Sequence, residues 1–299
     1  MDHRPPGPDR PLVTAPPAPG PDPDSAPAAV ARTGAGAGES WIVAVGDELL
    51  AGHTADTNSA WLADQLRRTP FPCRRIAVIP DSEVAIAAEL TDAIAGPAAR
   101  IFCCGGLGPT PDDVTLAAVA RTIGVRLCEH PRALAHIEGV VARMHAAGWV
   151  ASPTVNPGNR KMALVPAGAV VLPNRTGMAP PLALALGDAP DRWLLVLPGV
   201  PRELRTVVLE EVLPVYCAGT AAVATEEVVY RGIGESNFYP VLRRLAVEFP
   251  DVRFGSYPRP TGGELVIRAT AADPQRARLA AGELRRRSRD LIPRPPAEG

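Results

Sequence analysis

Three times along this 299-residue chain a short apolar run stops at a glycine and gives way to a helical pattern. Trp41-Ile42-Val43-Ala44-Val45 stops at Gly46, the strand-like stretch Arg100 to Cys104 at Gly105, and Trp193 to Leu197 at Pro198-Gly199. Unbroken apolar runs of this length suit strands covered on both faces, the condition of a parallel sheet. Helical patterns fill the intervals: near Thr57 to Arg68, from Asp81 to about Ala95, from Val114 to Ile123, from Pro131 to about Ala147, and from Pro201 through about Leu213. A further strand is expected near Arg75 to Ile79, and short ones near Lys161 to Val165 and Ala169 to Leu172. This βαβα order predicts an α/β fold, a doubly wound and mostly parallel sheet with helices on both faces.

After Thr220 the pattern changes to strand (Glu226 to Arg231), helix (Ser236 to Phe249), strand (Val252 to Tyr257), strand (Glu264 to Thr270) and helix (Pro274 to Leu291). That order predicts a small C-terminal α+β domain. Ten of the 35 prolines fall in the first 27 residues, and a Gly/Ala stretch follows them. Such a composition cannot bury enough apolar area to order itself. The expected organisation is a disordered tail over 1–38, a main domain over 39–218, a small domain over 220–292 and a flexible tail over 293–299.

Composition narrows the function classes. With 31 basic and 32 acidic residues the formal net charge is -1, so no global field recruits nucleic acid or an anionic membrane. Aromatic residues at 4% argue against a base-stacking surface. Five cysteines, odd in number and without C-x-x-C spacing, read as reduced thiols of a cytoplasmic protein. No apolar run approaches the roughly 18 residues of a membrane-spanning helix. The five histidines lack zinc-ligand spacing, and no G-x-S-x-G elbow or Walker A loop is present.

In an open parallel sheet, ligands bind beyond the carboxyl ends of the strands. The loop Gly105-Gly106-Leu107-Gly108-Pro109-Thr110-Pro111-Asp112-Asp113 lies there, between a strand and a helix start. Its glycines let the main chain approach a ligand closely, and amides beside a helix N-terminus favour an anion such as phosphate. Asp112 and Asp113 read either as holders of a divalent cation or a water, or as the cap of the next helix, a role expected of one of them. Two other loops flank this one. Gly46 to His53 carries Asp47 and Glu48 and leads to Asp56, Thr57 and Asn58, which also read as a turn with capping residues. Gly199 to Leu204 carries Glu203 in a first helical turn, where a carboxylate also suits the dipole. Arg160 or Lys161 is a candidate for neutralising a phosphate, and Asn174 to Gly177 reads as a polar turn.

Together, Val45-Gly46-Asp47-Glu48-Leu49-Leu50-Ala51-Gly52 with Asp56-Thr57-Asn58, Gly105-Gly106-Leu107-Gly108-Pro109-Thr110-x-Asp112-Asp113-x-Thr115, and Leu197-Pro198-Gly199-Val200-Pro201-Arg202-Glu203-Leu204 resemble the CinA family. The N-terminal domain of that family is of the MoaB/Mog molybdopterin-binding type. The resemblance continues through Pro173-Asn174-x-x-Gly177-x-Ala179-Pro180, Gly232 to Ser236 and Glu264 to Arg268, about residues 41 to 285 in all. It implies a molybdopterin-binding type of sheet, a KH-like small domain, a homodimer, and metal-dependent cleavage of nucleotide pyrophosphates such as ADP-ribose with magnesium, manganese or cobalt. The alternative it leaves open is a protein that binds molybdopterin or a nucleotide without turnover. Carried onto this chain, the phosphate loop is Gly105, Gly106, Gly108 and Thr110, the catalytic and metal-holding groups are Asp112 and Asp113, and the rim is Asp47, Glu48, Asp56, Asn58, Gly199 and Glu203. Two departures stand out. Cys104 occupies the place of the family's usual threonine or serine, exchanging a hydroxyl for a weaker thiol. The chain also has no length for the C-terminal domain that deamidates nicotinamide mononucleotide, so that activity is not expected. An RNA-binding role for the small domain is disfavoured, because Gly232-Ile233-Gly234 lacks the G-x-x-G spacing that clamps a nucleic-acid backbone.

Overall fold

The computed structural model describes residues 38–187, 191–220, 223–259 and 263–291. Apart from Gly38, the tails expected over 1–38 and 293–299 lie outside the described residues.

The first unit runs β1 (Glu39–Val45), α1 (Asp47–Leu50), α2 (Thr57–Leu66), β2 (Cys73–Ile79), α3 (Glu83–Ala95), β3 (Ala98–Cys104), α4 (Thr115–Thr122), β4 (Leu127–Glu129) and α5 (Pro131–Ala146). It continues through α6 (Pro157–Lys161), β5 (Leu164–Pro166), β6 (Val170–Val171), β7 (Leu182–Ala185), β8 (Trp193–Leu197) and α7 (Pro201–Val207). A π-helical turn, Val208–Val212, then carries α7 into α8 (Leu213–Tyr216). Six strands form one sheet in the order β2-β1-β3-β8-β7-β6. The first four are mutually parallel, and β7 and β6 add antiparallel pairings at one edge.

Strand alternation divides the core into two layers. Ile42, Phe102 and Leu195 stand in register on one face and pack with Leu62 and Leu66 of α2 and Leu204 and Val207 of α7. Val43, Cys103 and Val196 face the other way, onto Ile86 and Leu90 of α3, Val119 of α4 and Ile137 of α5. All of these are buried, each contributing about 1.5–3 kcal/mol for the large aliphatic side chains. A sheet covered on both sides requires apolar residues at every position of its central strands, which is why those runs are unbroken in the sequence.

The sequence pattern missed β4 and β7, and it misplaced one strand start. Lys161 belongs to α6, because Asn156 caps a helix there, its side chain accepting from the Asn159 amide at 2.8 Å with Pro157 in the first turn. The strand begins at Leu164 instead.

The second unit holds β9 (Ala224–Arg231), a 3₁₀ turn (Glu235–Phe238), α9 (Tyr239–Glu248), β10 (Arg253–Pro258), β11 (Glu264–Ala271) and α10 (Pro274–Arg287). Its three strands pair antiparallel in the order β10-β11-β9. Val228, Tyr230, Phe238, Leu245, Leu265, Ile267 and Leu284 make a core of their own. Among the described residues no helix is long and apolar enough to cross a membrane.

Candidate ligand site at the carboxyl ends of the parallel strands

The carboxyl ends of β1, β3 and β8 approach so closely that the chain leaving them must be glycine. At Gly105 (φ 110°) a Cβ would lie 2.3 Å from the Val45 carbonyl oxygen, and at Gly199 it would lie 3.3 Å from the Gly105 Cα. Gly105 donates its amide to the Leu197 carbonyl at 3.0 Å, which carries the β3–β8 pairing one step past the strand. The loop then folds back under α4. The Thr115 hydroxyl donates to the Gly105 carbonyl at 2.9 Å, and the Thr115 amide donates to the Gly106 carbonyl at 3.3 Å. Gly106 is left-handed (φ 66°), and a Cβ there would sit 2.2 Å from the Thr115 Oγ1.

With the carbonyls so engaged, the amides remain. Among the described residues, the N–H groups of Gly106, Leu107 and Gly108 donate to no protein oxygen. The residues that carry them line a hollow of about 50 Å³ with Asp113 and Lys161, whose remaining walls are the apolar Leu116, Ala117, Leu127, Met162 and Leu164. Three consecutive free donors in a glycine bend form an anion-accepting concavity.

The two aspartates of the loop part company. Asp113 turns inward: its Oδ2 accepts from the Thr110 amide at 2.9 Å and from the Thr110 hydroxyl, and its carboxylate lies where a Cβ on Gly108 would stand, 2.5 Å away. It fixes the shape of the bend. Asp112 is exposed, and its carboxyl is held below the ordinary range by the Thr110 hydroxyl first, then by a backbone amide and the charge of Lys161. The Thr110 hydroxyl donates to Asp113, and its proximity also favours the charged form of the neighbouring Asp112. Neither aspartate caps α4, contrary to the expectation from sequence. The N-cap residue is Val114, without a side-chain cap, because Thr115 satisfies its own amide on Gly106.

The rim adds further carboxylates. Asp47 and Asp81 clasp each other across the ends of β1 and β2: the Asp47 amide donates to Asp81 Oδ2 at 2.8 Å, and the Asp81 amide to Asp47 Oδ1 at 3.3 Å. Burial, then the negative charges of Asp47, Glu48 and Asp112, push the Asp81 carboxyl above its usual range, with the Asp47 amide opposing them. Glu48 folds back over Gly46, where a Cβ would lie 2.6 Å from its carboxylate. Asp81 was read from the sequence only as a helix opener. Its signal was available, since it follows, after Pro80, the strand beside β1 at the same end of the sheet as the glycine loop, whereas α3 itself starts at Glu83 with Ser82 as its N-cap residue.

The remaining residues sort as follows. Asp56 is the cap of α2, accepting from the Ser59 amide at 2.9 Å. Asn58 is thereby free to donate to the Gly199 carbonyl at 2.7 Å, joining α2 to the β8–α7 loop, and its buried Oδ1 has no protein partner. Glu203 stands apart from the glycine loop: it accepts from Asn174 Nδ2 at 2.8 Å and lies across Gly177, where a Cβ would come within 1.8 Å. Of the two basic candidates, Arg160 is held by Glu129 at 2.6 and 2.9 Å, whereas Lys161 reaches the glycine loop and donates to the Thr110 carbonyl. Cys104 does not face the loop. Its side chain is buried in the layer with Leu62, Leu195 and Leu197, and burial pushes its thiol far above the usual range.

The described side chains supply no complete set of metal ligands on their own. Among the described residues no three His, Cys, Asp or Glu side chains converge so as to hold an ion, and one oxygen of Asp113 is already committed to Thr110.

Comparison with known proteins agrees with this architecture. Residues 41–216 match the family described as a probable molybdopterin binding domain. A protein of Pyrobaculum aerophilum is 36% identical over 224 residues, which span 74% of this chain and 80% of the relative. A CinA-like protein of Citrifermentans bemidjiense is 34% identical over 260 residues, 82% of this chain and 57% of the relative, so the chain spans little more than half of that protein. The crystal structure of a CinA protein of unknown function from Thermoplasma acidophilum is 29% identical, covers 58% of this chain and 95% of its own, and superposes with a TM-score of 0.49. By its residues 41–216 the chain belongs to the probable molybdopterin-binding-domain family, with CinA-like relatives.

Proposed function

We propose that this chain binds the phosphate end of a nucleotide pyrophosphate or of a phosphorylated pterin on the amides of Gly106, Leu107 and Gly108. The observation that carries the reading is the set of three unengaged amides in a bend whose Gly105 and Gly106 carbonyls are tied to Thr115 and whose shape Asp113 holds. Lys161 supplies a positive charge at the edge of the seat. A hollow of about 50 Å³ holds one phosphoryl-sized group, so the rest of the ligand lies toward the acidic rim.

A second reading, hydrolysis of ADP-ribose or a similar pyrophosphate, draws on that rim. Asp47, Glu48, Asp81 and Asp112 form a region of negative charge in which Asp112 stays ionised while Asp81 holds its proton to higher pH. Such a rim receives the divalent cation that accompanies a nucleotide pyrophosphate in solution as part of the substrate. Magnesium, manganese and cobalt are the ions to supply.

Calorimetry with ADP-ribose and with a pterin phosphate tests the first reading, and chromatography of the same mixtures for released AMP tests the second. Binding is expected to weaken at least tenfold in Gly108→Ala, which displaces Asp113. Undiminished affinity in that variant removes the loop from the site. Binding without product after long incubation selects a binding protein, and turnover that survives Asp47→Asn with Asp112→Asn removes the rim from the chemistry.

A further inference from the structure

A groove in the second unit carries free positive charge that the first site does not use. It encloses about 930 Å³ between α9 and β10, with Arg74 of β2 at its margin, and Tyr239, Leu242, Arg243, Arg253 and Phe254 among its walls. A second hollow of about 500 Å³ shares Tyr239 and Arg243 with it and adds Arg244 and Val247. The two in series make an elongated channel along one stripe of α9.

The arginines of this unit are mostly spoken for. Arg231 and Arg259 pair with Glu264, Arg268 with Glu227, Arg276 with Asp251, Arg278 with Glu226, Arg286 with Glu283 and Arg287 with Glu248. Arg74, Arg243, Arg244 and Arg253 have no carboxylate partner among the described residues, and all four border the channel. Its own carboxylates offset them only in part: Asp251 is paired with Arg276 at 2.6 Å and Glu248 with Arg287 at 2.6 Å, which leaves Glu235, hydrogen-bonded to the Ser256 hydroxyl, as one uncompensated carboxylate against four guanidiniums. One helical turn before Arg243, Tyr239 presents a ring that is 67% exposed. Unpaired guanidiniums spaced along a groove, with an exposed aromatic face between them, match a chain of phosphates carrying stackable planar bases.

We propose that this channel binds single-stranded nucleic acid, its phosphates on Arg74, Arg243, Arg244 and Arg253 and a base against Tyr239. A net charge of -1 does not oppose this, because at physiological salt charges act within about 8 Å. No G-x-x-G clamp is invoked.

Fluorescence anisotropy of the full chain with short labelled oligothymidine and oligouridine, over a range of salt, tests the proposal. Three to four phosphate contacts predict a log–log salt slope of about -2 to -3. Arg243→Glu with Arg253→Glu is expected to weaken binding at least tenfold and flatten the slope, and Tyr239→Ala to weaken it roughly 5- to 100-fold with the slope kept. Arg278→Glu, outside the channel, leaves affinity unchanged, and Arg74→Glu repeats the loss from the other wall if the double variant fails to fold. Absence of binding at low salt, retention by both groove variants, or displacement by oligoglutamate but not by unlabelled oligonucleotide overturns it. ADP-ribose binding by the same variants reads the glycine loop separately, so either site can fail alone.

Discussion

Replacing Gly106 by alanine tests whether Thr115 shapes the loop. The new Cβ would stand 2.2 Å from the Thr115 Oγ1, at a residue with φ 66°. The left-handed conformation alone costs an L-residue about 1–2 kcal/mol. Relieving the clash drives the Thr115 hydroxyl off the buried Gly105 carbonyl, which it now reaches at 2.9 Å, for about another 1–3 kcal/mol. A total of about 2–5 kcal/mol lowers the melting temperature of a domain of this size by roughly 5–15 °C without unfolding it. Thr115→Ala removes the clashing oxygen, so in that background Gly106→Ala is left with the conformational cost, about 1–2 kcal/mol. Thermal and urea unfolding of the four proteins close the cycle, with an expected coupling of about 1–3 kcal/mol. Strictly additive effects refute the account of the loop, as does a Gly106→Ala protein that melts within a degree of the parent.

Other sites give independent checks. Gly177→Ala drives a Cβ into the Glu203 carboxylate, detaching it from Asn174 for about 1–3 kcal/mol, and the same substitution is expected to add little in a Glu203→Ala chain, where that bond is already gone, read by urea unfolding. Asp81 has a folded-state carboxyl raised above its unfolded value, so ionising it costs stability once pH passes the ordinary carboxylate range. Asp81→Asn is therefore expected to gain more stability at neutral pH than in acid, and an equal gain at both contradicts the raised carboxyl. Burial pushes Cys103 and Cys217 up to about 12 and raises Cys104 well above the ordinary thiol range, so Ellman's reagent should reach no more than Cys73 and Cys128 before unfolding. Arg100, 2% exposed, donates to the Ala99, Tyr216 and Asp191 carbonyls and pairs with Asp191 at 2.7 Å; Arg100→Ala should cost about 3–5 kcal/mol in urea unfolding while ADP-ribose affinity stays put.

What was legible in the sequence, and what was not, follows from the range of the forces involved. Ile42, Phe102 and Leu195 declare a doubly covered sheet because burial on two faces demands an unbroken apolar run, a constraint written locally. The glycines of the loop were equally plain, since backbone crowding at Gly105 and Gly106 admits no other residue. The partner of each polar side chain was not, because it depends on elements far along the chain. Asp112 and Asp113 are adjacent in sequence, yet one shapes the bend and the other faces water, a difference settled by Thr110 and Lys161. Asp81 reaches Asp47 only because β2 lies beside β1. Cys104 looked like a substitution at a ligand contact, but strand alternation turns its side chain away from the loop into the core. The free arginines of the channel were hidden for a related reason: the net charge sums over the whole chain, whereas pairing is decided residue by residue in the folded protein.

The two ends of the large sheet are built on opposite principles. At the amino ends of β3 and β8, Arg100 and Arg192 point inward and bind backbone carbonyls, Arg192 taking those of Ile94, Gly96 and Ala98 at 2.9 to 3.1 Å. Each cation there is spent on acceptors of its own fold, and little is left for a ligand. At the carboxyl ends the donors are main-chain amides, the side chains are largely carboxylates, and the contacts that fix geometry run between Thr115, Asp113, Asn58 and the loop. Preorganised amides keep their direction without a side chain that must be ordered on binding, so little conformational entropy is lost when an anion arrives. Carboxylates that repel one another, as Asp47, Glu48 and Asp112 do around Asp81, are instead held at a cost that a cation or a hydrogen-bond donor on the ligand relieves. A rigid, satisfied amino end is what allows the other end to keep its donors open and its acids crowded, and it is why a substitution at Arg100 should cost stability and spare binding whereas one at Gly106 should cost both.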